Sequence, residues 1–309
     1  MTRRTVPLPE GLDGLRVDLA LSRMLGVSRT AAADLVDSGA VTVDGRRVAR
    51  SERARAGAVV EVDLEDRSAP PPDQSSYDGP SLRPVFEDAD LIVIDKPPGV
   101  AVHPSPGWDG PTVTAGLAVM GRQLAAAGAA ERLGVVHRLD ADTSGLMVLA
   151  KSGLAYSRLK EAFRERNVDK RYLALVQGHP DPTSGTIDAP IDRHPSHDAR
   201  WAVVADGRPS VTHYQTREAF RSATLLDVRL ETGRTHQIRV HMAATRHPCV
   251  GDLLYGADPV LAATLGVKRQ WLHAHELAFD HPRHHREVRV SSEPPPDIAG
   301  AIEMLTGAA

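Results

Sequence analysis

The chain has 309 residues, 41% of them hydrophobic and 25% charged, with a formal net charge of −3. That is the balance of an ordinary water-soluble globular protein, long enough for two domains at ~150 residues each. The single cysteine, Cys249, excludes an intramolecular disulfide and a thiolate zinc cluster and fits a reducing cytoplasm. No apolar run approaches the ~18 residues of a membrane helix. Arg3-Arg4 precede no apolar stretch, so no signal peptide is expected.

The first elements form a small module. Leu15, Val17, Leu19, Ala20, Leu21, Met24 and Leu25 are spaced for an amphipathic helix. Ser28 is an N-cap for a second helix, Arg29 to Ser38, and Gly39 is its stop. VTVDGRRV and AVVEVDL then alternate as strands, the first broken by a turn at Asp44-Gly45. Residues 1–60 hold ten Arg against seven Asp plus Glu, a net of +3. This order of helices, glycine turn and VDG hairpin resembles the S-four-type RNA-binding domain. Arginine's planar fork suits phosphates, so helix-end Arg29 and hairpin Arg46, Arg47, Arg50 and Arg53 are expected to grip RNA. The alternative is a helix-hairpin domain whose basic face is merely solvated.

Residues 66–83 carry a Pro triplet, Ser, Gly and acidic residues without apolar periodicity, which reads as a linker. The expected domains are therefore 1–65, RNA-binding, and 84–309, catalytic. Beyond the linker, LIVIDKP, GLMVLAKS, KRYLALVQG, VTHYQ, TLLDVRLET, QWLHAHELAF and REVRVSS read as strands. Leu154–Arg166, Thr235–Arg246 and a short stretch near Asp297–Leu305 read as helices. Helices do not alternate regularly with strands, so a doubly wound sheet is not expected. The fold class is α+β: a helix-hairpin domain, then a domain with a large, mostly antiparallel mixed sheet.

Four segments carry chemistry. Val136-His137-Arg138-Leu139-Asp140-Ala141-Asp142-Thr143-Ser144-Gly145 crowds polar groups ahead of an apolar strand, where catalytic groups collect, although these are also ordinary turn formers. An aspartic protease would need two Asp-Thr-Gly or Asp-Ser-Gly triplets, and the chain has one, Asp37-Ser38-Gly39. Gly233-Arg234-Thr235-His236-Gln237-Ile238-Arg239-Val240-His241-Met242 opens a helix, whose N-terminus favours anions. Lys170-Arg171-Tyr172-Leu173-Ala174-Leu175-Val176 is a strand with Tyr172 on one face. Ile94-Asp95-Lys96-Pro97-Pro98-Gly99-Val100-Ala101-Val102-His103-Pro104 is the fourth.

In this order, HRLDxxTSG and RTHQIRVHM above all, the segments resemble the RluA family of pseudouridine synthases over nearly the whole chain. The resemblance implies that Asp140 is the essential aspartate, Arg138 the loop arginine that enters the RNA, Tyr172 the tyrosine against the base and Arg239 the partner of the aspartate. His137 is expected at the RNA interface. Asp95, Phe86, Arg246 and Cys249 depart from the residues expected of the family. Pseudouridine formation imports no group and transfers no electrons, so neither cofactor nor metal is expected. The base must leave its stack, and Arg138 can fill the gap. Asp140 then acts as nucleophile at the sugar or as a base, and both remain open. Arg239 would favour its ionised form, and Tyr172 can stack on the uracil. The implied partner is large-subunit ribosomal RNA or a ribosome assembly intermediate, met in the cytoplasm by a monomer. Rival readings are a non-catalytic RNA-binding protein, a synthase acting on transfer RNA, and a glycoside hydrolase using Asp140 with Asp142. Fourteen histidines, His273, His275, His281, His284 and His285 among them, lack a carboxylate motif for a metal.

Overall fold

In the computed structural model, residues 2–9, 12–25, 29–64, 77–105, 107–126 and 133–307 are described. They fall into two compact units, the first within residues 1–75 and 126–133, the second within 76–125 and 134–309.

In the first unit, strand β1 (Thr2–Pro7), helices α1 (Val17–Leu25) and α2 (Arg29–Asp37), and strands β2 (Val41–Val43), β3 (Arg46–Arg47) and β4 (Val59–Leu64) follow one another. The strands form one antiparallel sheet in the order β1-β4-β2-β3. Leu21, Ala32, Val36, Val41, Val60 and Val62 meet in its core. Helix α2 stops at Gly39, whose φ of +77° suits a residue without Cβ, and the Gly39 and Ala40 amides close the turn onto Val36 and Leu35. Asp44 and Gly45 both have positive φ, as a two-residue hairpin turn requires. Strand β1 was not expected, because TRRTVP does not alternate. The proposed cap Ser28 and most of the proposed linker lie outside the described residues.

The second unit is built on a nine-stranded sheet. Its strands are β5 (Arg83–Glu87), β6 (Leu91–Lys96), β7 (Ser144–Ala150), β8 (Asp169–Gln177), β9 (Ser184–Asp188), β12 (Val211–Ala219), β13 (Ala223–Leu230), β14 (Leu272–Asp280) and β15 (Glu287–Ser291), with β10 (Ile191–His194) and β11 (His197–Val203) forming a separate hairpin. The order is β5-β6-β7-β14-β8-β13-β12-β9. Among the described strand pairs, β7–β14 is parallel and the rest are antiparallel. Strand β14 serves two neighbours in turn: His273 and Ala274 pair with β7, and after a register shift Glu276–Asp280 pair with β15.

Helices α3 (Val113–Val119), α4 (Gly153–Arg164), α5 (Gln237–Ala244), α6 (Pro259–Thr264) and α7 (Pro296–Gly307) complete the unit. Alternate side chains of the sheet enter different cores. Tyr172, Ala174 and Val176 of β8 pack with Ile238 and Met242 of α5, whereas Leu173 and Leu175 pack with Trp271 and with Ile298, Ala301 and Leu305 of α7. A third cluster joins Leu146 and Val148 of β7 to Ala155 and Leu159 of α4. Strand β7 is buried at every position, which explains the unbroken apolar run LMVLA. No helix among the described residues is long and apolar enough to cross a membrane.

Candidate active site

The loop before β7 is a tight turn in which the Thr143 amide donates to the Asp140 carbonyl at 3.1 Å. Asp140 takes the first position of that turn, where Asp is favoured. The chain then enters β7 through Gly145, at φ +115°. An added Cβ there would stand 2.6 Å from the Ala274 nitrogen and closer still to its carbonyl oxygen. Only glycine lets β7 close against β14 at this point, five residues after Asp140.

Asp140, Arg138, Tyr172 and Arg239 line one pocket, with His236 and Leu272. Arg239, on α5, is buried. Its Nε and Nη2 donate to Oδ2 and Oδ1 of Asp252 at 2.6 and 2.9 Å, and Nη1 donates to Asp140 Oδ2 at 3.3 Å. Its guanidinium also lies 5.0 Å from the Tyr255 ring. Burial works against the charge of Arg239, but the hydrogen bonds and charge of Asp252, with Asp140 behind them, outweigh it and raise the pKa. The arginine is therefore a fixed cation aimed at Asp140. Burial, and then the charge of Asp140, push the Tyr172 phenol upward, so Tyr172 stays neutral and can donate.

His236 adopts a left-handed conformation, φ +56°, just before α5. Its Nδ1 lies 2.8 Å from the Tyr255 hydroxyl, which also accepts from the Trp201 amide, and its Nε2 lies 3.9 Å from Asp140 Oδ2. Burial lowers the His236 pKa, against the pull of Asp140. A neutral ring accepting at Nδ1 would carry its proton on Nε2, facing the carboxylate. Lys96, at the end of β6, is wholly buried, and its Nζ donates to the carbonyls of Pro97, Val100 and Ala141 at 2.9, 2.9 and 2.7 Å. Burial pushes its pKa to about 7, while Asp140 and Asp142 pull it back. The sequence assigns no role to Asp252, Tyr255, His236 or Lys96, because a buried partner is not visible in a turn-like string such as GDLLYG.

The polar start of α5 is a brace. Gln237 accepts from Thr232 and from the Arg234 amide, and donates to Val211 O and Thr212. Arg138 is exposed and has neither hydrogen-bond nor ion-pair partner among the described residues. His137 is the residue expected at the RNA interface. It lines neither of the pockets beside Asp140. Its Nε2 accepts from the Val148 amide at 3.0 Å and its ring stacks on Phe163 of α4. Burial, then Lys170 and Lys160, push its pKa down to about 3, so it is neutral and offers phosphate no charge. The side chain instead ties the loop to β7.

In the first unit Arg46, Arg47, Arg50 and Arg53 are exposed. Arg46 pairs with Glu52 at 2.6 Å, Arg50 with Asp37 at 3.3 Å, and Arg53 donates to Gly14 O. Such exposed pairs are weak and readily exchanged for another anion. The Arg29 side chain lies outside the described residues. Asp95 pairs with Arg83 and accepts from Ser292, which gives its charge a partner. His273 bridges Ser144 and Ser292 O, and His281 bonds Asp88. No group of three or more His, Cys, Asp or Glu among the described residues is placed to hold a metal.

A carboxylate held by a fixed cation, beside an exposed arginine and on a chain that also carries a small arginine-bearing unit, is an arrangement suited to an enzyme whose substrate is a polyanion. Residues 90–244 match the family model of RNA pseudouridylate synthase, and residues 15–60 match the S4 domain. The chain is 54% identical over 308 residues to an uncharacterised RNA pseudouridine synthase of Mycobacterium bovis, covering 99% of each. It is 42% identical to the ribosomal large subunit pseudouridine synthase D of Xanthomonas campestris, covering 98% of this chain and 92% of that one. Among solved structures it is similar to human RNA pseudouridylate synthase domain containing 4, with a TM-score of 0.57 and 27% identity, covering 72% of this chain and 93% of that one. The chain belongs to the RNA pseudouridine synthase family, whose members are isomerases acting on RNA.

Proposed function

We propose that this synthase converts uridine to pseudouridine in large-subunit ribosomal RNA, with Asp140 as its catalytic carboxylate. The observation that carries the reading is the contact of Asp140 Oδ2 with Arg239, whose other edge is locked onto Asp252. The choice of RNA rests on the 42% identity to a large-subunit synthase. The isomerisation breaks the N1–C1′ bond, turns the uracil and joins C5 to C1′. C5 gives up its proton to solvent and N1 ends protonated, so the balance needs no electron acceptor and no co-substrate.

Each side chain then has a task. Arg138 enters the duplex and fills the space of the extruded nucleotide. Tyr172 stacks on the uracil and keeps its hydroxyl proton. Arg239 fixes the Asp140 carboxylate for attack at C1′ or removal of a sugar proton. Residues 1–65 act as an RNA-binding domain, 66–83 as a linker and 84–309 as the catalytic domain. The enzyme works as a cytoplasmic monomer on ribosomal RNA or a ribosome assembly intermediate. Pseudouridine mapping of total RNA from a deletion strain tests this. Loss of specific large-subunit pseudouridines, restored by the wild-type gene and not by Asp140→Asn, is the expected result. Loss confined to transfer RNA would overturn the choice of substrate.

A further inference from the structure

The turn that carries Asp140 is braced from two directions. Lys96 holds the Ala141 carbonyl from one side. From the other comes Arg269, in the segment that leads into β14. Its Nη1 donates to the Asp142 carbonyl at 2.9 Å and its Nη2 to Ser144 Oγ at 3.2 Å. Its Nε and Nη2 also grip both carboxylate oxygens of Asp297, at 2.6 and 3.1 Å. The neighbouring Gln270 donates to Thr143 Oγ1 at 3.2 Å. Residues 142, 143 and 144 are thus each held by side chains from 269–270.

Asp297 stands in the first turn of α7, and α7 is anchored by other means. Ile298, Ala301 and Leu305 are buried with Trp271, whose indole N–H donates to Ile298 O. The helix therefore brings Asp297 to a set place without help from the arginine. A carboxylate that engages two guanidinium nitrogens fixes the plane of the fork. That plane decides where the remaining N–H groups point. The Arg269 side chain is 10% exposed and Asp297 44%. If the pair served only to tie down α7, it would contribute little, as half-exposed pairs do, and it would have no need to reach Asp142 and Ser144.

We propose that Arg269, oriented by Asp297, is a positioning residue for the isomerisation. It places Asp140 by gripping the turn two and four residues downstream. The proposal rests on the reading of Asp140 as the catalytic carboxylate.

The test uses the full-length protein and an in vitro transcript of large-subunit ribosomal RNA carrying uridine tritiated at C5, with tritium release as the readout. Arg269→Lys keeps the charge but cannot serve Asp297, Asp142 and Ser144 together. It should lower kcat by up to ~100-fold, the scale of a misplaced catalytic group, with KM and RNA affinity unchanged. Asp297→Asn should lower kcat by a smaller factor, and Asp297→Glu should recover most of it. Ile298→Val is the control: it loosens α7 without touching the clamp, so it should lower the melting temperature and leave kcat alone. Hydrogen exchange of the segment 138–146 should quicken in Arg269→Lys and Asp297→Asn, and not in Ile298→Val. The proposal is overturned if folded Arg269→Lys turns over like the wild type, if Ile298→Val loses kcat as the clamp variants do, or if loop exchange is unchanged. Should Arg269→Lys not fold, Asp297→Asn carries the same readings. Full activity of Asp140→Asn would refute the reading of Asp140, while loop exchange would still report on the clamp.

Discussion

Asp252 gives the sharpest test of the pocket's electrostatics. Asp252→Asn preserves shape, removes a charge that is 2% exposed, and turns an amide N–H₂ toward one of the Arg239 nitrogens it used to accept from. Breaking a buried ion pair by removing one partner costs about 3–5 kcal/mol. Asp140, at 3.3 Å and 15% exposed, remains as an acceptor and holds the loss to the lower end. For a domain of this size ~3 kcal/mol corresponds to a fall in melting temperature of about 6–12 °C. Turnover should fall as well, because Arg239 loses the partner that aims it at Asp140. Combining Asp252→Asn with Arg239→Met removes the stranded cation, so the melting temperature should recover toward wild type, while tritium release should not. Calorimetry and single-turnover release on the same preparations decide the matter. A single variant that melts and turns over like the wild type would refute the role assigned to this pair.

Four further outcomes are expected. Asp140→Asn should abolish tritium release while keeping the fold and RNA binding, because an amide is a poor nucleophile and a poor base; the exposed neighbour Asp142→Asn should retain most activity. Arg138→Ala should lower the rate at saturating RNA far more than it lowers affinity in a filter-binding titration. At the end of β6 opposite Lys96, hydrogen bonds from Arg283 and Ser152 hold the buried Asp90 carboxyl well below its ordinary value. A depressed folded pKa gives stability that is complete above ~4 and lost as pH falls further. Asp90→Asn should therefore cost about 1.5–3 kcal/mol at pH 7 and flatten the acid side of the stability curve, read by urea melts from pH 7 to 2. Removing residues 1–65 should weaken RNA binding and shallow the slope of log affinity against log salt, because fewer counterions are released.

The sequence declared most strongly the parts of the fold that are buried on both sides. LIVID and GLMVLA read as strands because every position is apolar or nearly so, and β6 and β7 lie inside the sheet. Tyr172 falls on one face of β8 with Ala174 and Val176, as alternation along that strand requires. What stayed hidden was half-exposed or depended on partners distant in sequence. The β10–β11 hairpin, with Arg193 over Trp201, has a mixed surface that resembles a loop in the string of letters. Helix α3 is only seven residues long and rich in Val, Thr and Gly, so its period barely shows. HRLDxxTSG and RTHQIR marked the family, but Asp252 and Arg269 exert their effects through bonds to residues 239 and 142. No local pattern announces a bond of that span. The contact of His137 is hidden for the same reason: it stands beside Arg138 in the chain, and its ring stacks on Phe163.

The short parallel seam between β7 and β14 also sets an order of events. Ser144 and its partner His273 are 129 residues apart, Arg269 lies just before His273, and Asp297 later still. A chain emerging from the ribosome has made Asp140 long before it has made the strand and helix that complete its surroundings. Contacts of such separation close late, after local structure has formed. The growing polypeptide therefore carries Asp140 before the clamp of Arg269 and Asp297 on its turn can form. A chain cut short between β7 and α7 would carry the complete HRLD motif without the carboxylate that orients Arg269 against its turn.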